Sequence, residues 1–376
     1  MDIKKKILLI CSIGIAIFQI SSDILFADDG DTVWIKILIP FKSPFIKGGV
    51  RGIKKERKML TVKKVKEYAR KCGVDIVGIA SMDRFEGAPK QFDPRYIFPD
   101  AKSMIVLGFR IFRGCLRGIE EGTFFIAYAS MGYAGINWIY QPVVLWNFGK
   151  MLEDEGYEAV PIPNNFSWTN ANSSGEEPSK TATMNPNWSR PVSPDKPAPD
   201  VFIQLRIAAV AAGLGEIGWS KMFLSPEFGP RQRLACVITD APLEPDPLFK
   251  GGLCDKCMMC VKDCPVGAIP KDKTVKINLA GKEVEWADID FKKCSRGFCG
   301  ASKEHNPFMV SPEDETGFNQ EVGKAQSYKV KPQYFCGRAL EGARGCIRAC
   351  MIHLEEQGKL KNKFKEPFRR RKPWKL

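Results

Sequence analysis

The stretch Cys254-Asp-Lys-Cys257-Met-Met-Cys260-Val-Lys-Asp-Cys264-Pro265 decides how this chain is read. Its Cys-x2-Cys-x2-Cys-x3-Cys-Pro spacing is that of the bacterial ferredoxin run. Three close thiolates hold three irons of one cubane, and the fourth cysteine, set beyond a turn, reaches a second cluster. Thiolates are soft, charged donors suited to iron. Zinc motifs space their cysteines in pairs instead of crowding four into so short a run. The reading is two [4Fe-4S] clusters and a protein that moves electrons.

The remaining ligands must come from Cys294, Cys299, Cys336, Cys346 and Cys350. Cys346-x3-Cys350 mirrors Cys260-x3-Cys264. By the swapped rule Cys350 closes the first cluster with Cys254, Cys257 and Cys260, and Cys346 joins Cys264 in the second. Cys336 is the expected partner of Cys346, and Cys294 is favoured over Cys299. Met351 stands where a proline would follow Cys350. Nine of the thirteen cysteines lie between 254 and 350. A disulfide framework would not be confined to one part of so large a chain.

Upstream, the periodicity changes. Thr61 is a candidate N-cap for a helix with Val62, Val65, Tyr68, Ala69 and Cys72 inward and Gly73 as its stop. Residues 75–80, 103–109, 158–163 and 234–239 read as strands. A second helix is expected from about Pro142, with Val144, Trp146, Phe148, Met151 and Leu152 inward, and Ala208–Ala212 is helical. This alternation predicts an α+β protein with a layered sheet covered by helices. Residues 164–200, rich in Asn, Ser, Thr and Pro but carrying Trp168 and Trp188, read as a loop or a lid. Gly213, Gly215 and Gly218 permit tight turns and close backbone approach.

The run Ala212-Gly-Leu-Gly-Glu-Ile-Gly218, then Leu224-Ser-Pro-Glu-Phe-Gly-Pro-Arg231-Gln-Arg233 and Thr239-Asp-Ala-Pro-Leu-Glu-Pro-Asp246, followed by the ferredoxin cysteines, resembles the reductive dehalogenases and epoxyqueuosine reductases. The resemblance is strong over about 205–350, weaker over 60–163, and does not reach 1–58. It implies a nitroreductase-like α/β sandwich domain over 59–245, followed by a bacterial ferredoxin-like domain over 246–355 and a basic tail over 356–376. It implies a cobalamin on the first domain, reduced through the clusters, and it supports Cys294 as a second-cluster ligand. Residues Gly213, Gly215, Gly218, Ser225, Gly229, Arg231 and Arg233 would line the corrinoid. Epoxyqueuosine reductases carry a proton-donating aspartate in a short Asp-Ser/Thr-Gly-Pro stretch. Here that region reads Pro197-Ala-Pro-Asp200, so Asp200 is a candidate with altered neighbours that reads equally as a helix N-cap. The dehalogenases use a tyrosine acid beside a basic residue, for which Tyr128, Tyr133 and Tyr140 are available and Tyr133 is the choice.

Charge separates ends from body. Of the formal net charge of +14, residues 359–376 carry +8 and residues 1–58 carry +5, leaving +1 between them. The folded part is therefore no nucleic-acid-binding surface by charge alone. The tail from Phe364 to Trp374, with its aromatics, reads as solvated and disordered, or as a contact for an anionic membrane or RNA. Lys4–Lys6 ahead of the apolar run Ile7–Ile20, with Ala27 as a cleavage site, reads as a signal peptide, or residues 1–58 precede a true start at Met59, with a lipid-spanning helix as the third reading. A cytoplasmic protein is expected, or an exported or membrane-associated one if the first 27 residues are a signal. The only histidines, His305 and His353, argue against paired-imidazole catalysis. The expected activity is a reductase passing electrons from a ferredoxin or flavodoxin to a small organic substrate. The alternatives are a corrinoid-free electron carrier and tRNA modification. A short tail where epoxyqueuosine reductases carry helical repeats weighs against the latter and against a nucleic-acid partner.

Overall fold

The strands Ile76–Ser81 (β3), Ser103–Arg110 (β4) and Gln232–Thr239 (β8) are nearly continuous apolar runs because the sheet they form is covered on both faces. The computed structural model describes residues 24–28, 31–35, 60–124, 127–164, 191–198, 201–291, 293–294 and 343–368. Residues 1–58 form one unit and residues 59–376 another. In the first, Ile24–Asp28 (β1) and Asp31–Ile35 (β2) pair as an antiparallel hairpin; the candidate signal segment ahead of it lies outside the described residues.

In the second unit a four-stranded antiparallel sheet has the order β3-β4-β8-β5, with Ala159–Ile162 as β5. Alternate side chains go to opposite faces. Ile105, Leu107 and Val237 pack on helices Val62–Lys71 (α1) and Gln141–Asp154 (α3). Met104, Val106, Cys236 and Ile238 pack on Leu205–Ala211 (α4) and on the hairpin Thr274–Leu279 (β9) and Lys282–Ala287 (β10), whose Val275, Val284 and Trp286 enter this core. The mixed helix-and-sheet class is as expected. The hairpin, though it sits between two candidate ligands in sequence, belongs to the core of the sheet.

Local chemistry explains the ends of α1. The Thr61 side chain accepts the Lys64 amide at 3.2 Å, and Gly73 takes φ of 91° beyond the last turn. Between the short helix Arg117–Glu121 (α2) and α3 runs a π-helix, Tyr128–Tyr140. Within α3, Val144, Phe148, Met151 and Leu152 are buried as expected, but Trp146 is 71% exposed. Two residues on from Val144 a helix has turned by more than half a circle, and Leu145 takes the inward place instead.

The C-terminal segment also departs from expectation. After helix Arg348–Glu356 (α6) the chain folds back along the body through Lys361 N–H to Pro226 O (2.8 Å) and Asn362 N–H to Glu227 O (3.0 Å). Leu360 and Phe368 are buried, and the Arg113 guanidinium lies 3.7 Å from the Phe364 ring centroid. Residues 357–368 are thus docked, and the rest of the expected solvated tail, 369–376, lies outside the described residues. The docked aromatic residues have apolar and cationic seats that composition does not reveal. No helix among the described residues is long and apolar enough to cross a membrane.

Candidate functional site

The ferredoxin run wraps because two residues between its cysteines, Lys256 and Met258, adopt left-handed φ of 56° and 59°. Glu216 anchors the approach to this loop: its carboxylate accepts the amides of Gly252 (3.1 Å), Leu253 (2.7 Å) and Cys254 (2.6 Å). Asp255 ties the loop to α6, accepting from the Cys257 amide (3.1 Å) and Gln357 Nε2 (2.7 Å) and pairing with His353 Nε2 at 2.9 Å. These contacts bring Cys254, Cys257, Cys260 and Cys350 around one cleft. Sequence reasoning had no signal for Glu216, whose partners are backbone groups far along the chain.

A second group forms deeper. Cys264, Cys294 and Cys346 line one chamber with Tyr128, Tyr133, Arg206, Lys221 and Arg233. Gly345 makes this approach possible. A Cβ on it would stand 3.1 Å from Asp263 O, 3.2 Å from Pro265 Cδ and 3.8 Å from Cys264 Cα. The two groups adjoin, since Cys346 perturbs thiols of both. Cys336, Cys299, Asp200, Trp168, Trp188 and His305 lie outside the described residues.

Burial, then the neighbouring thiols, pushes Cys260 and Cys346 up to about 12 and Cys350 well above the ordinary thiol value. Thiols so buried converge as thiolates only around a compensating cation, and no disulfide links them among the described residues. Backbone donors already meet the sulfurs: Trp219 N–H to Cys254 Sγ at 3.4 Å and Ala268 N–H to Cys264 Sγ at 3.3 Å. Hydrogen bonds of this kind help set cluster potentials. The donor set fits iron–sulfur clusters.

The chamber is cationic. Burial and repulsion by Arg206 lower Lys221 to about 7, and burial with repulsion by Arg233 lowers Arg206. Arg233 lies 4.1 Å from the Tyr133 ring centroid and donates to Tyr128 Oη at 3.3 Å. Tyr140 is outside this group; its hydroxyl donates to Gly73 O at 3.2 Å. Lys221 also borders a cleft of about 990 Å³ walled by Phe85, Phe92, Ile207, Leu279 and Trp286, at the upper end of small-molecule site sizes. The Trp286 indole N–H is buried there with no acceptor among the described residues. Asp83, Arg84, Glu86 and Lys276 also stand on its wall, and a large cleft part apolar and part charged, with an orphaned donor, fits a large organic cofactor.

The expected corrinoid-lining residues divide. Arg233 borders the chamber. Arg231, by contrast, is buried against the docked C-terminal segment, donating to Ile111 O (2.7 Å) and Asn362 Oδ1 (3.0 Å), and lines none of these cavities. Gly213 and Gly215 admit the chain's own backbone: a Cβ would meet Pro247 O at 2.2 Å and Leu224 O at 1.9 Å. Gly229 packs under Leu354, and Gly218 borders the cleft of Cys254. The Ser225 hydroxyl accepts the Phe228 amide and donates to Gln232 Oε1 inside the core. Arg206 and Lys221 were missed, because a lone basic residue in the first turn of a helix or in a loop turn looks solvated.

No family model matches the chain. The tetrachloroethene reductive dehalogenase of Sulfurospirillum multivorans is 34% identical over 113 residues, covering 27% of this chain and 22% of that protein. The epoxyqueuosine reductase of Listeria monocytogenes is 40% identical over 68 residues, covering 18% of each. The chain thus spans about a fifth of the length of these curated relatives. A solved reductive dehalogenase described as B12-dependent superposes with a TM-score of 0.44 at 16% identity, over 77% of this chain and 40% of that one. The chain is similar in sequence to both reductive dehalogenases and epoxyqueuosine reductases, and both are reductases.

Proposed function

We propose that this protein is an iron–sulfur reductase that breaks a carbon–halogen or carbon–oxygen bond in an organic electrophile. One observation carries the reading: the thiols of Cys264, Cys294 and Cys346 share a wall with Tyr133, Arg206, Lys221 and Arg233. An electron outlet and a proton-bearing, cation-lined chamber are the same place.

Cys254, Cys257, Cys260 and Cys350 would hold a first [4Fe-4S] cluster, with Cys257 the most exposed of the four and so nearest an external donor of the ferredoxin or flavodoxin class. Cys264, Cys294 and Cys346, with Cys336, would hold the second. The large cleft beside Lys221 would hold a cobalamin, which supplies a redox-active cobalt when bound. The reaction consumes two electrons and one proton per bond broken: the leaving group departs with the bonding pair as an anion, and carbon gains hydrogen. Tyr133 holds that proton at its phenol oxygen, and the Arg233 guanidinium over its ring stabilises the phenolate left behind. Arg206 and Lys221 offset negative charge developing on the leaving atom. Apolar walls exclude water.

The test is metal analysis of anaerobically reconstituted full-length protein. About eight iron per chain, as two cubanes require, with cobalt in stoichiometric amount, supports the reading. Eight iron with no corrinoid binding leaves an electron carrier and overturns the reductase. Turnover of a haloalkene against an epoxide then separates the two bond classes.

A further inference from the structure

The two groups of thiols sit in different electrostatic surroundings. Around Cys254, Cys257, Cys260 and Cys350 the charges cancel. Asp255 accepts the Cys257 amide at 3.1 Å, and Glu216 accepts the Cys254 amide at 2.6 Å. Lys256 is paired with Glu285 at 2.5 Å. Lys282 and Lys359 donate to Phe249 O (2.6 Å) and Leu253 O (3.2 Å), just ahead of the run. Acids and lysines are thus evenly matched, with His353, counted neutral at pH 7, beside Asp255. The charge that acts directly on Cys257 is the Asp255 carboxylate, which repels its thiolate.

The deeper group differs. Arg206, Lys221 and Arg233 share a wall with Cys264, Cys294 and Cys346, and no described Asp or Glu lines that chamber. Arg206 and the thiolates of Cys294 and Cys346 attract one another. Asp288, off the wall, attracts Lys221. The two guanidiniums keep their charge at any ordinary pH. Hydrogen bonds do not separate the groups, because one amide reaches a described sulfur in each, Trp219 N–H at 3.4 Å and Ala268 N–H at 3.3 Å. Depth separates them little, since burial raises Cys260 and Cys350 on one side and Cys346 on the other. Fixed charge is the difference that remains.

We propose that this asymmetry orders the two cluster potentials: Arg206 and Arg233, with no carboxylate beside them, make the second cluster the stronger electron acceptor. The inference rests on assigning the two groups of thiols to clusters. A cluster that gains an electron gains negative charge, which a nearby cation favours and a carboxylate opposes. An electron from a donor of the ferredoxin or flavodoxin class, entering near the exposed Cys257, therefore passes on to the chamber. The first cluster is oxidised by one electron as the second is reduced by one, and no bond is made or broken. Arg206 so sets the direction of flow, in addition to the charge it offsets on the leaving atom. A unit charge roughly 10 Å away, at an effective dielectric of about 20, changes such an equilibrium by about tenfold.

A reductive titration of anaerobically reconstituted full-length protein, followed by electron paramagnetic resonance, tests this. It needs neither corrinoid nor substrate, so its result stands even if the reductase reading falls. Two separate one-electron steps are expected. Arg206→Met should move the higher step, and that step alone, to lower potential by about tenfold in the reduction equilibrium, or about 59 mV for one electron. Arg206→Lys, which keeps the charge, should recover most of the shift. Asp255→Asn should move the lower step upward and leave the higher one in place. If Arg206→Met loses iron, Arg233→Gln reads the same step. With about eight iron bound, a shift confined to the lower step in the arginine variants, or no shift at all, overturns the proposal alone. About four iron in wild type would overturn the assignment of the second cluster and the proposal with it.

Discussion

The Arg233 guanidinium sits 4.1 Å from the centre of the Tyr133 ring, inside the chamber that Cys264, Cys294 and Cys346 also line. In the proposed reaction Tyr133 would give up its proton and the Arg233 guanidinium over its ring would stabilise the phenolate left behind. Tyr133→Phe is expected to reduce turnover by about 10²–10⁴-fold, the usual contribution of a positioned acid. Iron content should stay at the wild-type level. Arg233→Gln, with the tyrosine in place, should fall between the two. Initial rates under a strong chemical reductant, with iron assayed in parallel, check both.

Glu216 carries the loop that presents the first cysteine. Its carboxylate accepts three backbone amides, at Gly252, Leu253 and Cys254. Glu216→Ala leaves all three without a partner, and charge-assisted bonds of this kind are worth about 1.5–3 kcal/mol each before relaxation and rehydration. The expected result is selective loss of the first cluster under air. Following bleaching of the visible absorption should show about half the iron lost faster than in wild type, since each cubane holds half of it.

Arg348 lies between Cys346 and Cys350 in sequence and pairs with Glu120 of α2, both deeply buried. Removing one partner strands a buried charge. Glu120→Ala is expected to destabilise the protein by about 3–5 kcal/mol, whereas Glu120→Leu with Arg348→Met should recover most of that. Denaturant midpoints for the two variants, compared with wild type, read this directly.

Lys221 links charge to pH. Its value falls from 10.5 to about 7, through burial first and repulsion by Arg206 second. Between those two values the unfolded chain holds a proton at this site that the folded chain has released. Stability should therefore rise with pH from about 7 to 10.5, at up to about 1.4 kcal/mol per unit. Below about 7 both states are protonated and the burial penalty is felt in full. Lys221→Met should flatten this rise in a series of unfolding curves across the window.

Part of the site could be read from residue order alone. Cysteine spacing is local, and the mirrored Cys-x3-Cys pair points to Cys350 beside the first motif and Cys346 beside Cys264, as the two cavities group them. The strands expected at 75–80, 103–109 and 234–239 were equally plain, because a sheet covered on both faces demands long apolar runs. Trp146 was misplaced because apolar character alone does not say which side of a helix is covered. Arg231 was misplaced because an arginine's partners lie wherever the chain returns, here at Ile111 and Asn362.

The amino-acid order by itself determined the local features: how the cysteines are spaced, where the helices and strands begin, and how charge gathers at the ends. Those are properties of neighbours along the chain, ruled by covalent spacing and periodicity. Only the tertiary structure decided what the donors face. It set Arg206, Lys221, Arg233 and Tyr133 against the second group of thiols, carried the β9–β10 hairpin into the sheet core, docked residues 357–368, and left one face of α3 bare. The reason is physical. Burial and electrostatic environment depend on contacts between residues far apart in sequence, and those exist only once the chain has closed on itself.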